Sequence, residues 1–149
     1  MWARLRRFNA LPRPARGLFL RALVLLPLVT LLLRLRGFRA AQRILRARLG
    51  SPGDAGAAAD DLARSASRMV AAAARHAIFP ATCLERSLVL WWLLARRGVA
   101  SQLRIGVRKS GETFEAHAWV ERHGAAVGEP EGTHLHYAPF AKEFTEEPT

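Results

Sequence analysis

The chain is predicted to be an α+β protein, with helices first and a small antiparallel sheet after them. Two observations carry this. Up to Arg97 the apolar residues recur at helical spacing, and from Gln102 onward the period falls from 3.6 to 2. The breakers Gly50-Ser51-Pro52-Gly53, Pro80 and Gly98 divide the helical part into segments.

Residues 2–16 are rich in arginine, and Pro12 and Pro14 should stop any first helix before Leu11. Leu18 to Leu33 is the most apolar stretch. Its uncharged run between Arg21 and Arg34 is broken by Pro27 and falls short of the ~20 residues a spanning helix needs. A basic start before an apolar run also imitates a signal peptide, but no small-x-small cleavage site follows before Arg34. The stretch is read as a helix buried against the main domain, with membrane contact as the alternative. Phe38 to Leu49 continues as a basic helix, with Phe38, Ala41, Ile44, Leu45 and Leu49 near one face. Asp54 can cap the next helix, which carries Leu62, Ala66, Met69, Val70 and Ala73 at helical spacing to about Ile78.

Thr82 to Arg97 is the best-defined helix. Thr82 and Glu85 have the spacing of a capping box, Gly98 stands where a terminating glycine belongs, and Leu84, Leu88, Trp91, Trp92 and Ala95 form the expected buried stripe. Leu103, Ile105 and Val107 then alternate with polar neighbours in a first strand. After a turn at Lys109–Glu112, Phe114, Ala116, Ala118 and Val120 alternate with Glu115, His117, Trp119 and Glu121 in a second. A third short strand is expected from Ala125 to Glu129, and beyond Pro130 the pattern fades.

Charge is placed unevenly. Residues 1–50 hold twelve arginines and no acid, so the net +11 belongs to them, while the remainder is nearly neutral. The expected organisation is a basic, leucine-rich helical segment over 1–50 and a domain over 51–149. Nucleic-acid binding is not expected, because the basic third lacks polar and glycine interleaving and its arginines flank leucine runs. Such a surface suits a membrane, an acidic peptide or an acidic partner. One cysteine excludes an internal disulfide and fits a reducing compartment.

That cysteine, Cys83, falls in the first turn of its helix. Free N–H groups and the positive end of the helix dipole favour a thiolate there, and the same N–H groups can face an oxyanion. His117 lies on the polar face of the second strand beside Trp119. A nucleophile-bearing helix followed by a base-bearing hairpin is a recurring arrangement in cysteine proteases. If Arg122-His123-Gly124 is a three-residue loop, Glu121 faces Ala125 and His117 faces Glu129, with Cβ atoms ~5 Å apart. Glu129 would then orient the imidazole; Glu131 is the reserve if the loop is longer. A two-residue His123-Gly124 loop would put Glu129 on the wrong face. Gathering Cys83, His117, His123, His134 and His136 around a metal is the weaker alternative, since no helix carries a His-x-x-x-His pair and His123 is committed to a turn. His76, near a helix C-terminus, reads as a favourable end charge.

Cys83-Leu84-Glu85-Arg86-Ser87-Leu88, Ile105-Gly106-Val107 and Phe114-Glu115-Ala116-His117-Ala118-Trp119-Val120-Glu121 together resemble the lasso-peptide leader peptidases. These are the cysteine-protease half of the lasso-peptide B protein, within the transglutaminase-like superfamily. The resemblance is strong over Ala81–Glu129 and fainter over the basic, leucine-rich N-terminal part. It implies a papain/transglutaminase-like fold, with the nucleophile helix packed on the sheet, and a Cys83, His117, Glu129 triad with no cofactor and no metal. It further implies a cytoplasmic peptidase that acts on a precursor leader peptide beside a small leader-binding partner and a lasso cyclase; the basic residues 1–50 themselves suggest docking, either on that partner and its bound leader or on the inner membrane surface. The chain's length matches the split form that relies on such a partner. Where that family usually has aspartate, this chain has Glu129. A non-catalytic membrane-surface or scaffold protein of a peptide-maturation complex is the contrasting expectation.

Overall fold

The computed structural model describes residues 10–49, 56–130 and 132–140. Among the described residues three helices, α1 (Arg13–Arg46), α2 (Gly56–Ala74) and α3 (Cys83–Ala95), precede strands β1 (Gln102–Ser110), β2 (Thr113–Arg122), β3 (Ala125–Ala126) and β4 (Ala138–Pro139). The strands form one antiparallel sheet in the order β3-β2-β1-β4. This is the α+β architecture the change of period predicts. The expected cap at Asp54 and the breaker at residues 50–53 lie outside the described residues.

α1 begins just after Pro12, with Pro14 in its first turn, where a missing N–H costs nothing. Gly37 leaves helical geometry at φ 73°, ψ 174°, and so separates the leucine-rich stretch from the basic one. On one side of the first part, Leu18, Ala22, Leu26 and Val29 are buried. They join Val70, Leu88, Leu94, Leu103 and Val120 in a single core, so the N-terminal helix packs with the rest rather than beside it. Of the second part, Ala41 and Leu45 are buried and Ile44 is not. Trp92 Nε1 donates to Leu45 O at 3.1 Å and Arg96 Nη1 to Arg48 O at 2.9 Å, tying the end of α1 to α3.

α2 buries a small-residue face of Ala59, Ala63, Ala66, Val70 and Ala73, which lets it lie close to α1. It stops at Ala74, short of the expected Ile78. The chain then unwinds toward Pro80, leaving Ile78 and Phe79 exposed. α3 has the predicted capping box: Thr82 Oγ1 accepts from Glu85 N–H, and Thr82 N–H donates to Glu85 Oε2 at 2.7 Å. It is buried on more sides than the predicted stripe, since Val89, Leu90, Leu93 and Leu94 are also enclosed. α1, α2 and the sheet surround it, which is why its sequence is apolar almost all round.

The sheet departs from the sequence reading in four places, one being that the third strand covers only Ala125–Ala126 and not Ala125 to Glu129. Phe114, predicted to face inward, is 75% exposed because the β1–β2 hairpin projects past the helices. β2 and β3 pair Glu121 with Ala126 and Arg122 with Ala125, so the turn is the two-residue His123-Gly124, not a three-residue loop. Its residues take φ 50° and 77°, the twist a two-residue hairpin favours. Finally, the tail returns through a 3-10 turn (Thr133–His136) to lay β4 on the open edge of β1, Gly106 opposite Pro139 and Val107 opposite Ala138. A two-residue strand has no periodicity to detect.

A polar link joins α2 to β2. Arg122, on β2, has a side chain only 4% exposed; its Nε donates to Asp60 Oδ1 of α2 at 2.7 Å and its Nη1 to Ala100 O at 3.0 Å. Chiefly through that hydrogen bond, Arg122 holds the Asp60 carboxyl below its ordinary pKa. A depressed carboxyl stabilises the fold fully above the unfolded value, about 3.9, and loses that contribution as pH falls through the folded value. Asp60→Asn should therefore destabilise the protein at neutral pH and flatten its stability curve below about pH 4, as read by urea unfolding across pH. Parallel curves for the two proteins would contradict this.

Candidate active site

α3 and β2 meet at a buried hydrogen bond: Ser87 Oγ donates to Ala118 O at 2.8 Å. Cys83 lies one helical turn before Ser87, on the same side of α3, and His117 is the residue before Ala118. Cys83 is the first residue of α3, half-buried, and directly follows the Thr82 cap. Thr82 and Glu85 engage each other's N–H groups, so the helix start is held in one geometry.

His117 sits in β2 opposite Gly106. Its Nε2 lies 2.6 Å from Glu129 Oε1, with both side chains about four-fifths buried. A carboxylate can only accept, so Nε2 carries the proton in this pair, and in a neutral imidazole Nδ1 is then the nitrogen with the lone pair. Nδ1 is thus the nitrogen free to serve as a base. The other carboxylate oxygen, Glu129 Oε2, is buried and makes no hydrogen bond among the described residues. Among the described residues no hydrogen bond joins Cys83 to His117.

Glu129 reaches His117 by a route different from the one the sequence suggests. With the two-residue turn, continued pairing would have turned Glu129 to the wrong face. The ladder instead ends after Val127 N–H donates to Val120 O at 2.8 Å, and Gly128 takes φ 76°. That single left-handed residue redirects the chain and brings Glu129 back to the imidazole. Gly128 also lies hard against α2: a Cβ placed on it would come 1.6 Å from Ser67 Oγ. Glu131, the reserve candidate, lies outside the described residues.

Rings pack around His117. Trp119, two residues on and buried, stacks nearly parallel to it at 6.0 Å between centroids with a 19° tilt. Tyr137, at the end of the 3-10 turn, approaches within 5.1 Å, and the Arg108 guanidinium lies 4.9 Å from the Tyr137 ring centroid. Arg108 is paired in turn with Glu115, which raises its pKa. Gly106 makes the stack possible, since a Cβ there would lie 2.9 Å from Ala138 O and 3.0 Å from the Trp119 ring. Sequence reasoning found Trp119 but not Tyr137, whose only signal is that it is the single tyrosine of the chain.

His123 is in the hairpin turn, and His134 packs on Trp119 at 6.1 Å. Among the described residues no three His, Cys, Asp or Glu side chains are placed to hold a metal ion. A shallow cleft lined by Arg86, Ser87, Trp119, Val127, Gly128 and Glu129 opens beside the pair.

The structure thus has a cysteine at a capped helix start, anchored to a strand that carries a carboxylate-paired histidine. The chain is a member of the transglutaminase-like superfamily, whose family model matches residues 23–142, from within α1 to just past β4. That superfamily includes cysteine peptidases. No curated protein and no solved structure matches the chain.

The Gly128 turn can be tested directly. Gly128→Ala should destabilise the fold by more than the ~1–2 kcal/mol of left-handed strain alone, because the new methyl also meets Ser67. Adding Ser67→Gly should recover the clash but not the strain. Denaturant unfolding gives the stabilities, and His117 ring nitrogen shifts report the Glu129 contact. A fully stable Gly128→Ala with an unchanged His117 signal would show that this turn does not place Glu129.

Proposed function

We propose that the protein is a cysteine peptidase that removes the leader from a ribosomally synthesised lasso-peptide precursor. The observation that carries the chemistry is the 2.6 Å His117–Glu129 pair on the strand that anchors the helix beginning at Cys83. Superfamily membership supports a cysteine-peptidase type of reaction. The substrate class rests on the resemblance of the Cys83–Leu88 and Phe114–Glu121 segments to lasso-peptide leader peptidases.

In this mechanism Cys83 Sγ attacks the scissile carbonyl carbon while His117 Nδ1 takes the thiol proton. The tetrahedral oxyanion is met by N–H groups at the start of α3. Collapse breaks the C–N bond, and His117 returns its proton to the departing core-peptide amine. The leader is left as a thioester on Cys83. His117 then deprotonates water, which attacks that carbonyl and releases the leader carboxylate and the thiol. Glu129 keeps Nε2 protonated throughout and stabilises the imidazolium that forms transiently. Trp119 and Tyr137 hold the ring and limit water around it. The freed amine is what a lasso cyclase needs to close its ring, so the peptidase acts in the cytoplasm beside that enzyme and a small leader-binding partner.

Precursor cleavage, assayed with the partner proteins supplied, provides the test. Cys83→Ala and His117→Ala should each lower the rate by ~10⁴-fold or more, and Glu129→Ala by roughly tenfold to a hundredfold less than either. Full activity in Cys83→Ala would end the proposal. If the Glu129 change is harmless and Glu131→Ala is damaging, the third member has been misassigned. Alkylation of the thiol should abolish cleavage and a metal chelator should leave it intact. The reverse pattern would favour a metal hydrolase.

A further inference from the structure

The first part of α1 has two apolar sides. One, made by Leu18, Ala22, Leu26 and Val29, lies in the core. On the opposite side Leu20, Val24, Leu28, Leu31 and Leu35 are each at least half exposed. Their spacing places them in a stripe about 80° wide and ~22 Å long on the helix surface. Among the described residues none covers this stripe. Ile78 and Phe79, also exposed, line a shallow depression with Pro27 and Thr30 and so enlarge the apolar surface beside it.

Among the described residues, the charged side chains of α1 itself are all cations. Arg13, Arg16 and Arg21 stand near its first half, and Arg34, Arg36 and Arg39 near its second. Among the described residues no carboxylate pairs with any arginine of α1. Arg97 is close enough to Arg21 for their repulsion to add to burial in lowering the Arg97 pKa. A second copy seated on this face would bring arginines against arginines, which like-charge repulsion disfavours. An anionic bilayer surface offers both things the face needs: acyl chains for the stripe and phosphates for the guanidinium groups.

We infer that α1 docks the protein on an anionic membrane, lying in the headgroup region with the Leu20–Leu35 stripe inserted. By length and composition α1 could cross a bilayer. Crossing would strip Leu18, Ala22, Leu26 and Val29 from the core they share with α2 and α3, whereas lying in the interface keeps that packing. The docked orientation also brings the Ile78–Phe79 loop to the lipid, a few residues before Cys83. A substrate gathered at the membrane would then meet the start of α3. This inference does not depend on the peptidase chemistry and can fail without it.

Co-sedimentation of the whole chain with phosphatidylcholine vesicles, with and without phosphatidylglycerol, tests it. The protein should sediment with the anionic vesicles, weakly with neutral ones, and come off in an alkaline high-salt wash. Leu28→Ser/Leu31→Ser changes only exposed positions, so its circular dichroism melt should match the parent while its vesicle partitioning falls at least about tenfold. Should that variant fail to fold, Arg13→Glu/Arg34→Glu, exposed at both sites, should lose the preference for anionic lipid. Equal partitioning of folded variants and parent would overturn the inference, as would absence of vesicle binding by the parent. Resistance to the wash would indicate a spanning helix and overturn it too. So would a parent dimer that the serine variant dissolves, which would assign the stripe to self-association.

Discussion

The seam between α3 and β2 is the constraint on which the site depends. α3 is enclosed on nearly every side, so its buried polar groups must find partners within the protein. Ser87 does so through Ala118 O, and that bond fixes the axial position of the helix relative to the strand. An axial slip of one residue would unmake a buried hydrogen bond and misalign a close-packed face. With the slip forbidden, the capped start of α3 and the His117 segment of β2 have a set relation. The capping box adds to this, since it prevents fraying at the one end where Cys83 sits.

Around this seam the fold recruits distant parts of the chain by short, specific devices. Gly128 turns the strand end toward the imidazole and packs against α2, coupling the position of Glu129 to a helix some sixty residues earlier. Gly106 keeps the surface of β1 flat so that Trp119 can lie across it and β4 can pair beside it. Tyr137 arrives on that returning segment and closes the ring stack over His117. The site therefore draws on most of the length matched by the superfamily model.

Much of this was legible because strong local patterns have local causes. Thr82, Glu85 and Gly98 mark the ends of α3 through hydrogen bonds spanning only a few residues, and the two long strands declare themselves by alternation. The pairing of His117 with Glu129 was also foreseen, but from the wrong hairpin. A loop of two residues or three differs in the φ of His123 and in whether Arg122 stays in the ladder, and the sequence His-Gly allows either. The return of Glu129 depends on Gly128 meeting Ser67, a contact between elements that no window of sequence contains. β4 and Tyr137 were invisible for the same reason, since two residues pairing at an edge have no period. The outward side of α1 escaped because Leu20 and Leu18 look alike in composition; only the packed fold shows which of them is covered.

Chemically, the account rests on Cys83 and His117 acting as one unit across the α3–β2 seam. The rate at which iodoacetamide alkylates Cys83 in the folded protein at neutral pH, compared between parent and His117→Ala, tests this most directly. Cys83 is the only cysteine, so the reaction has a single site. The account predicts that removing the imidazole slows alkylation markedly while the unfolded chains of both proteins react alike. Equal rates in the folded state would contradict it.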